Sequence, residues 1–402
     1  IKHYIITITV LLASVALAIP EFDDVDVATA SLLQRYINNT ESTDPSSEMR
    51  IQAILDYMYE KINIGNWMED KEVFRKAITI ATYLKLLGHV NSSDEDFDSL
   101  VKRAFKIIDF GIMFGCPLLK EPLLLQNCAT IMSPLLQSTK VSNDLPSKDS
   151  SVSKNATTET CRFNAEPIEI IDRPSMEHFL KNYILAEKPV IIENCINHWP
   201  ALEKWKDENY FIKLAGLRTV SIEIGSKYTD SDWTQSLITI EEFIRQYIYQ
   251  TEGPIGYLAQ YQLFNQIPEL RNDIAEPEYC CFADKLEPVD VMAWYGPKGT
   301  VSPLHHDPKR NLLAQVIGEK QLFLLAPSDS EFVYPLDGKM LVGDNTAQVD
   351  PRDPDLEKFP KYKDAKPYYC KLKPGQMIYI PPKWWHFVES LSVSFSVSFW
   401  WE

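Results

Sequence analysis

The chain has 402 residues, 45% hydrophobic and 11% aromatic, enough for two or three domains with sizeable cores. Its formal net charge of −16 excludes a sequence-independent grip on nucleic acid, which needs clustered Lys and Arg, so no direct nucleic-acid binding is expected. Seven cysteines with no C-x-x-C pair exclude a small disulfide framework and a simple zinc motif, and leave reduced thiols as the reading.

Residues 1–20 carry Lys2 and His3, an apolar run from Tyr4 to Ala18 and a small-x-small exit at Ala16-Leu17-Ala18. That is the layout of a secretory signal, too short for a membrane span, and it is set aside from fold reasoning. No membrane association is expected of the rest. Residues 21–138 read as a helical domain. Ile51, Ile54, Leu55, Met58 and Ile62 repeat at helical spacing, a second helix runs from about Lys71 through Leu87, and a third starts near Ser93, with Asp94, Glu95 and Asp96 suited to a helix N-terminus. Residues 139–160 are rich in Ser, Thr, Asp and Lys and read as a flexible linker without a basic cluster.

From Cys161 to residue 402 the pattern changes to short strands and helices. Ser175 is placed to cap a helix, and Lys188–Ile192, Thr219–Gly225 and Gly256–Gln260 read as strands. After Glu287 strands dominate: Val289–Tyr295, Leu312–Ile317, Gln321–Leu325, Met377–Ile380 and Val393–Trp400. Many short strands with Gly/Pro turns indicate a sandwich or barrel, and a double-sheet jelly roll fits best, because its mouth can hold a metal and a small ligand. The fold class expected is α+β: a C-terminal double-stranded β-helix of cupin type preceded by an α-helical domain.

The chemistry centres on Ser302-Pro303-Leu304-His305-His306-Asp307-Pro308 at the end of a strand. Alternation puts His305 and Asp307 on one side and His306 on the other. A third ligand must come from elsewhere, and His386, in Pro382-Lys383-Trp384-Trp385-His386, is the natural candidate. Two histidines and one carboxylate on one face of a metal form the facial triad of non-haem Fe(II) oxygenases. Lys320, in the apolar strand Gly318-Glu319-Lys320-Gln321-Leu322-Phe323, is poorly explained by packing, because lysine is rarely buried unpaired. A dicarboxylate co-substrate opposite it would explain it.

These segments, with Pro374-Gly375 and the ending Ser394-Phe395-Ser396-Val397-Ser398-Phe399-Trp400-Trp401, resemble Jumonji-C (JmjC) 2-oxoglutarate oxygenases. The likeness is strongest to the branch described both as arginyl hydroxylases and as lysine demethylases. It takes in Gly256-Tyr257-Leu258-Ala259-Gln260 and extends weakly into the helical part at Leu32-Leu33-Gln34-Arg35. The resemblance implies that His305, Asp307 and His386 hold Fe(II). It implies that Tyr257, Ser302, Asn311 and Lys320 bind 2-oxoglutarate, with Trp400 lining the pocket. Dioxygen is then consumed, 2-oxoglutarate becomes succinate and carbon dioxide, and a substrate C–H is hydroxylated. His306 stands where the close relatives have glutamine.

The substrate implied is an arginine in a protein, a histone being one candidate. Glu223, with Trp233 and Trp294 as aromatic walls, would suit a guanidinium by pairing and stacking. The same groups would also cage a methylated lysine, the demethylase alternative. A JmjC fold kept as a non-catalytic scaffold is a further rival, against which the intact triad and Lys320 count. The resemblance implies nucleus or cytoplasm; a genuine signal at 1–20 would imply the secretory route.

Overall fold

The computed structural model describes residues 31, 33, 45–64, 71–92, 95–136, 165–225, 233–250, 253–283, 288–336 and 345–402. The signal-like segment 1–20 and the linker 139–160 lie outside the described residues. Among the described residues the N-terminal part holds the long helices α1 (Pro45–Asn63), α2 (Glu72–Ser92), α3 (Phe97–Phe114) and α4 (Leu124–Leu136). They close on a core that includes Leu55, Met58, Tyr83, Val101, Phe105 and Met132. Among the described residues no helix is long and apolar enough to cross a membrane.

The third helix starts a turn later than its acidic run suggests, because Asp96 is its N-cap and accepts a hydrogen bond from the Ser99 amide at 3.1 Å. The helix α4, Leu-Leu-Gln-Asn-Cys-Ala-Thr-Ile-Met-Ser-Pro-Leu-Leu, went unread in the sequence. It carries no charge to mark a solvent face, and Pro134 in its interior is a breaker signal. Where α2, α3 and α4 meet, Gly111 is required: a Cβ there would lie 2.5 Å from both Leu125 and Thr82.

Among the described residues fourteen strands follow, with short helices such as Glu208–Ala215 between them: β1 (Glu166–Pro167), β2 (Ile170–Asp172), β3 (Val190–Glu193), β4 (Thr219–Ile224), β5 (Thr234–Thr239), β6 (Gly256–Tyr261), β7 (Asp290–Gly296), β8 (Val301–His305), β9 (Arg310–Ile317), β10 (Lys320–Leu325), β11 (Tyr368–Leu372), β12 (Met377–Ile380), β13 (Trp385–Ser390) and β14 (Ser394–Trp401). They form a sheet of nine, ordered β2-β3-β12-β9-β14-β7-β6-β4-β5, and a sheet of five, ordered β1-β11-β10-β13-β8. Period-two alternation sorts the large sheet. Leu312, Ala314, Phe395, Val397 and Phe399 face the helices that cover its outer side, in one core with Phe211 and Trp205. Leu313, Ile378 and Ile380 face the small sheet and meet Leu322, Leu324 and Val388 across the interior. Residues in step with this inner set, including Asn311, Lys320, His386 and Trp400, are thereby aimed into the gap between the sheets.

Candidate metal centre and co-substrate pocket

His305 is the last residue of β8 and His386 the second of β13, and the two are direct partners in the antiparallel register. Their rings lie 4.2 Å apart between centroids. A register shift between His386 and Val388 pairs Val388 with Ser302, so Ser302 and His305, three positions apart, share the inner face. Asp307 follows the strand, and its carbonyl accepts a 2.7 Å hydrogen bond from the Lys383 amide, which ties it to the turn before β13. One ligand atom each from His305, Asp307 and His386 lies within 4.8 Å of the others, the geometry of a metal-binding group. His306 turns the other way and packs edge-on against Trp385, with centroids 4.6 Å apart.

The donor chemistry fits a divalent metal. His305 Nδ1 lies 2.7 Å from the Pro303 carbonyl and His386 Nδ1 lies 2.9 Å from the Trp384 carbonyl. A carbonyl only accepts, so both Nδ1 atoms carry the hydrogen and both Nε2 lone pairs are left for a metal. Asp307 Oδ2 is buried, makes no hydrogen bond and sits 3.6 Å from His386 Nε2. Burial, with His305 beside it, holds the His386 pKa below the usual imidazole range, which keeps the ring neutral as a ligand must be.

Beyond the triad the pocket is lined by Tyr257, Trp294, Ser302, Asn311, Lys320 and Trp400. Lys320 is 1% exposed, and its Nζ donates to the Tyr257 hydroxyl at 3.1 Å. No carboxylate pairs with it among the described residues, and burial pushes its pKa down to about 7. Burial likewise raises the Tyr257 phenol, so it stays a neutral donor. Asn311 Oδ1 and Trp400 Nε1 are buried without hydrogen-bond partners. A cation and unspent polar atoms around one small cavity are what a polar dicarboxylate would satisfy.

The three residues expected at the substrate divide. Trp294 lines the pocket and donates to Ser398 Oγ at 2.8 Å. Glu223 and Trp233 do not line it; Glu223 lies in β4 directly beside Tyr257 of β6, and Trp233 Nε1 donates to Glu223 Oε2 at 3.3 Å. Burial raises the Glu223 pKa, and the Trp233 hydrogen bond partly opposes this. Sequence reasoning passed over Ser398, Leu313, Ile380 and Val388, which also line the pocket. The signal for Ser398 was present: Ser394, Ser396 and Ser398 alternate with Phe395, Val397 and Phe399, and a polar face of a buried strand marks a polar cavity.

Comparison with known proteins agrees with this architecture. A family model described as a cupin-like domain matches residues 176–402. The chain is 36% identical over 398 aligned residues to lysine-specific demethylase 8 of Xenopus tropicalis, covering 87% of each chain. It is 38% identical over 385 residues to the protein of that name in Danio rerio, covering 94% of this chain and 93% of the other. With Jumonji C domain-containing protein 5 of Drosophila melanogaster it shares 38% identity over 368 residues, covering 88% and 86%. With the sheet sandwich, the His/Asp/His group and relatives matched along most of their length, the chain belongs to the cupin-like JmjC family of 2-oxoglutarate oxygenases.

Proposed function

We propose that the chain is an Fe(II)- and 2-oxoglutarate-dependent hydroxylase acting on arginine side chains of protein substrates. His305, Asp307 and His386 would hold the iron; Lys320, Tyr257, Ser302 and Asn311 would hold 2-oxoglutarate, with Trp400 as a wall. Iron, 2-oxoglutarate and dioxygen together supply oxidation of a C–H bond to C–OH, with succinate and carbon dioxide released. The protein's own part is positioning. The ammonium of Lys320 and the phenol of Tyr257 orient a carboxylate, and Trp294 and Trp400 exclude water from that side.

The observation that carries arginine as substrate is Glu223. It is a half-buried carboxylate with no basic partner among the described residues, and burial raises its pKa. A guanidinium reaching past the metal would supply that charge and a bidentate fork, with Trp233 beside it. A methylammonium carbon would sit at the metal itself and leave Glu223 unpaired. Demethylation is the second reading, favoured by the names of two of the relatives above.

Two outcomes are expected. An arginine peptide incubated with iron and 2-oxoglutarate gains about 16 Da by mass spectrometry, one oxygen atom. Glu223→Gln weakens that peptide substantially and leaves peptide-independent 2-oxoglutarate decay in place. Loss of methyl groups from methyl-lysine peptides, with no gain on any arginine peptide, would overturn arginine in favour of demethylation. At the metal, His305→Ala is expected to abolish iron-dependent 2-oxoglutarate turnover while the far-ultraviolet dichroism stays that of the wild type. Full turnover in that variant would remove His305 from the ligand set.

A further inference from the structure

A second, larger cavity of about 940 Å3 lies between the helical bundle and the inner face of the large sheet. It is continuous in its lining strands with the pocket just described. On β7, Trp294 lines the pocket, and Met292, two residues before it and so on the same face, lines the cleft. On β4, Glu223 stands beside Tyr257 of the pocket, and Ser221, two residues before it, lines the cleft. Two strand residues span about 7 Å, so the cleft begins one dipeptide step from the pocket. Its far wall is helical, with Tyr59 of α1 and Phe114 of α3.

The lining says what would fit. Gln235, Gln260, Gln262 and Asn265 are exposed and line the cleft; Asn265 Nδ2 donates to Gln262 Oε1 at 3.3 Å, and the amides keep further donors and acceptors. Among the described lining residues the one charged side chain is Arg75, which donates to the Phe114 carbonyl at 3.3 Å. Gln260 sits at φ +46, at the register shift between Leu258 and Tyr261. A bulge with a left-handed residue other than glycine re-aims side chains and is a feature of working surfaces. An amide-lined trough with almost no charge is matched to a peptide backbone, and a single cation is a poor match to nucleic acid. The volume is at the upper end for small-molecule sites. It admits an extended chain and not a folded surface.

We propose that this cleft holds an extended, uncharged stretch of the substrate polypeptide flanking the side chain that enters the metal pocket, so that the helical bundle is one wall of the substrate site. The proposal rests on the oxygenase reading for the identity of the pocket.

The test measures binding to the full chain by fluorescence anisotropy. The probes are two labelled peptide pools with uncharged randomised flanks around a fixed arginine, one of about five residues and one of about thirteen, the longer reaching well past a dipeptide step. The long pool is expected to bind at least about tenfold tighter to the wild type. Leu237, which is 47% exposed and lines the cleft, allows Leu237→Trp to block the trough without disturbing the core. That variant, and Gln262→Trp at a second exposed position, should bring the long-to-short ratio close to one. Equal affinity of the wild type for both pools would overturn the proposal. So would an unchanged ratio in both variants, or displacement of the long pool by a single-stranded RNA. Peptide-independent 2-oxoglutarate turnover by the wild type reports separately on the oxygenase reading; its absence would sink that reading, and the binding ratio would still judge the cleft.

Discussion

Replacing Lys320 with Ala is expected to raise the 2-oxoglutarate concentration for half-saturation by about a hundredfold to several thousandfold, with iron binding nearly unchanged. Removing one partner of a buried charge pair costs about 3–5 kcal/mol, because the other charge stays desolvated. The same residue makes the requirement pH-dependent. In the ligand-free protein burial lowers the Lys320 pKa from 10.5 to about 7. A carboxylate arriving beside it restores the charged form, so above that pH co-substrate binding takes up a proton. Affinity should be flat below about pH 7 and fall about tenfold per pH unit above it, and titration calorimetry in buffers of different ionisation heat would count the proton. Lys320→Arg should lose this slope, because guanidinium stays charged throughout. A wild-type affinity that is level from pH 7 to 9 would show that Lys320 does not meet the co-substrate.

The same lowering also sets a stability cost. The unfolded chain holds the lysine proton up to its ordinary pKa and the ligand-free fold only to about 7. Between those values the unfolded state binds more protons, so stability rises with pH through that window and is lowest below it. The drop from 10.5 to about 7 corresponds to about 5 kcal/mol, less the hydrogen bond to Tyr257. Lys320→Met is therefore expected to melt roughly 5–10 °C above the wild type at neutral pH while losing co-substrate binding. A melting point below the wild type would mean that the ammonium has a partner in the ligand-free state.

What could be read from the sequence was what a local pattern carries. Lys320 stood out because it interrupts an apolar strand, His305 and Asp307 because they form a His-x-Asp pair at a strand end, and His386 as the candidate left for the third ligand. Alternation alone would have put Ser302 on the face of Leu304, not of His305, and only the register shift opposite Val388 brings Ser302 and His305 together. The strands β5, β11 and β13 were not separable from their surroundings, since Tyr368–Leu372 and Trp385–Ser390 mix polar and aromatic residues without clean alternation. Contacts between the two parts of the chain left no local trace at all.

The strongest of those contacts is the basis of the second large expected effect. Asp109 of α3 is fully buried and takes four hydrogen bonds: from Arg218 Nε at 2.9 Å and Nη2 at 2.7 Å, from the Thr219 amide at 2.6 Å and from Gln266 Nε2 at 2.7 Å. Arg218 also lies over the Phe105 ring, 5.6 Å from its centroid, and Leu217 is part of the helical core. Nothing near residue 109 in the sequence announces a partner 109 positions later. Asp109→Ala strands a guanidinium that is 3% exposed, a backbone amide and a side-chain amide, and should cost about 3–5 kcal/mol. Because Gln266 and its partner Tyr261 also line the cleft, the loss should loosen that wall first. Limited proteolysis of the variant is expected to separate the helical bundle from the sheet domain under conditions where the wild type is resistant. The discriminating variant is the double replacement Asp109→Leu with Arg218→Met, which removes both charges and fills the space. Burying no unpaired charge, it should recover most of the stability lost in Asp109→Ala. If the double variant is as unstable as the single one, the clamp acts through the Thr219 and Gln266 hydrogen bonds and not through its ion pair. If Asp109→Ala melts with the wild type, the helical bundle is held by apolar contact alone.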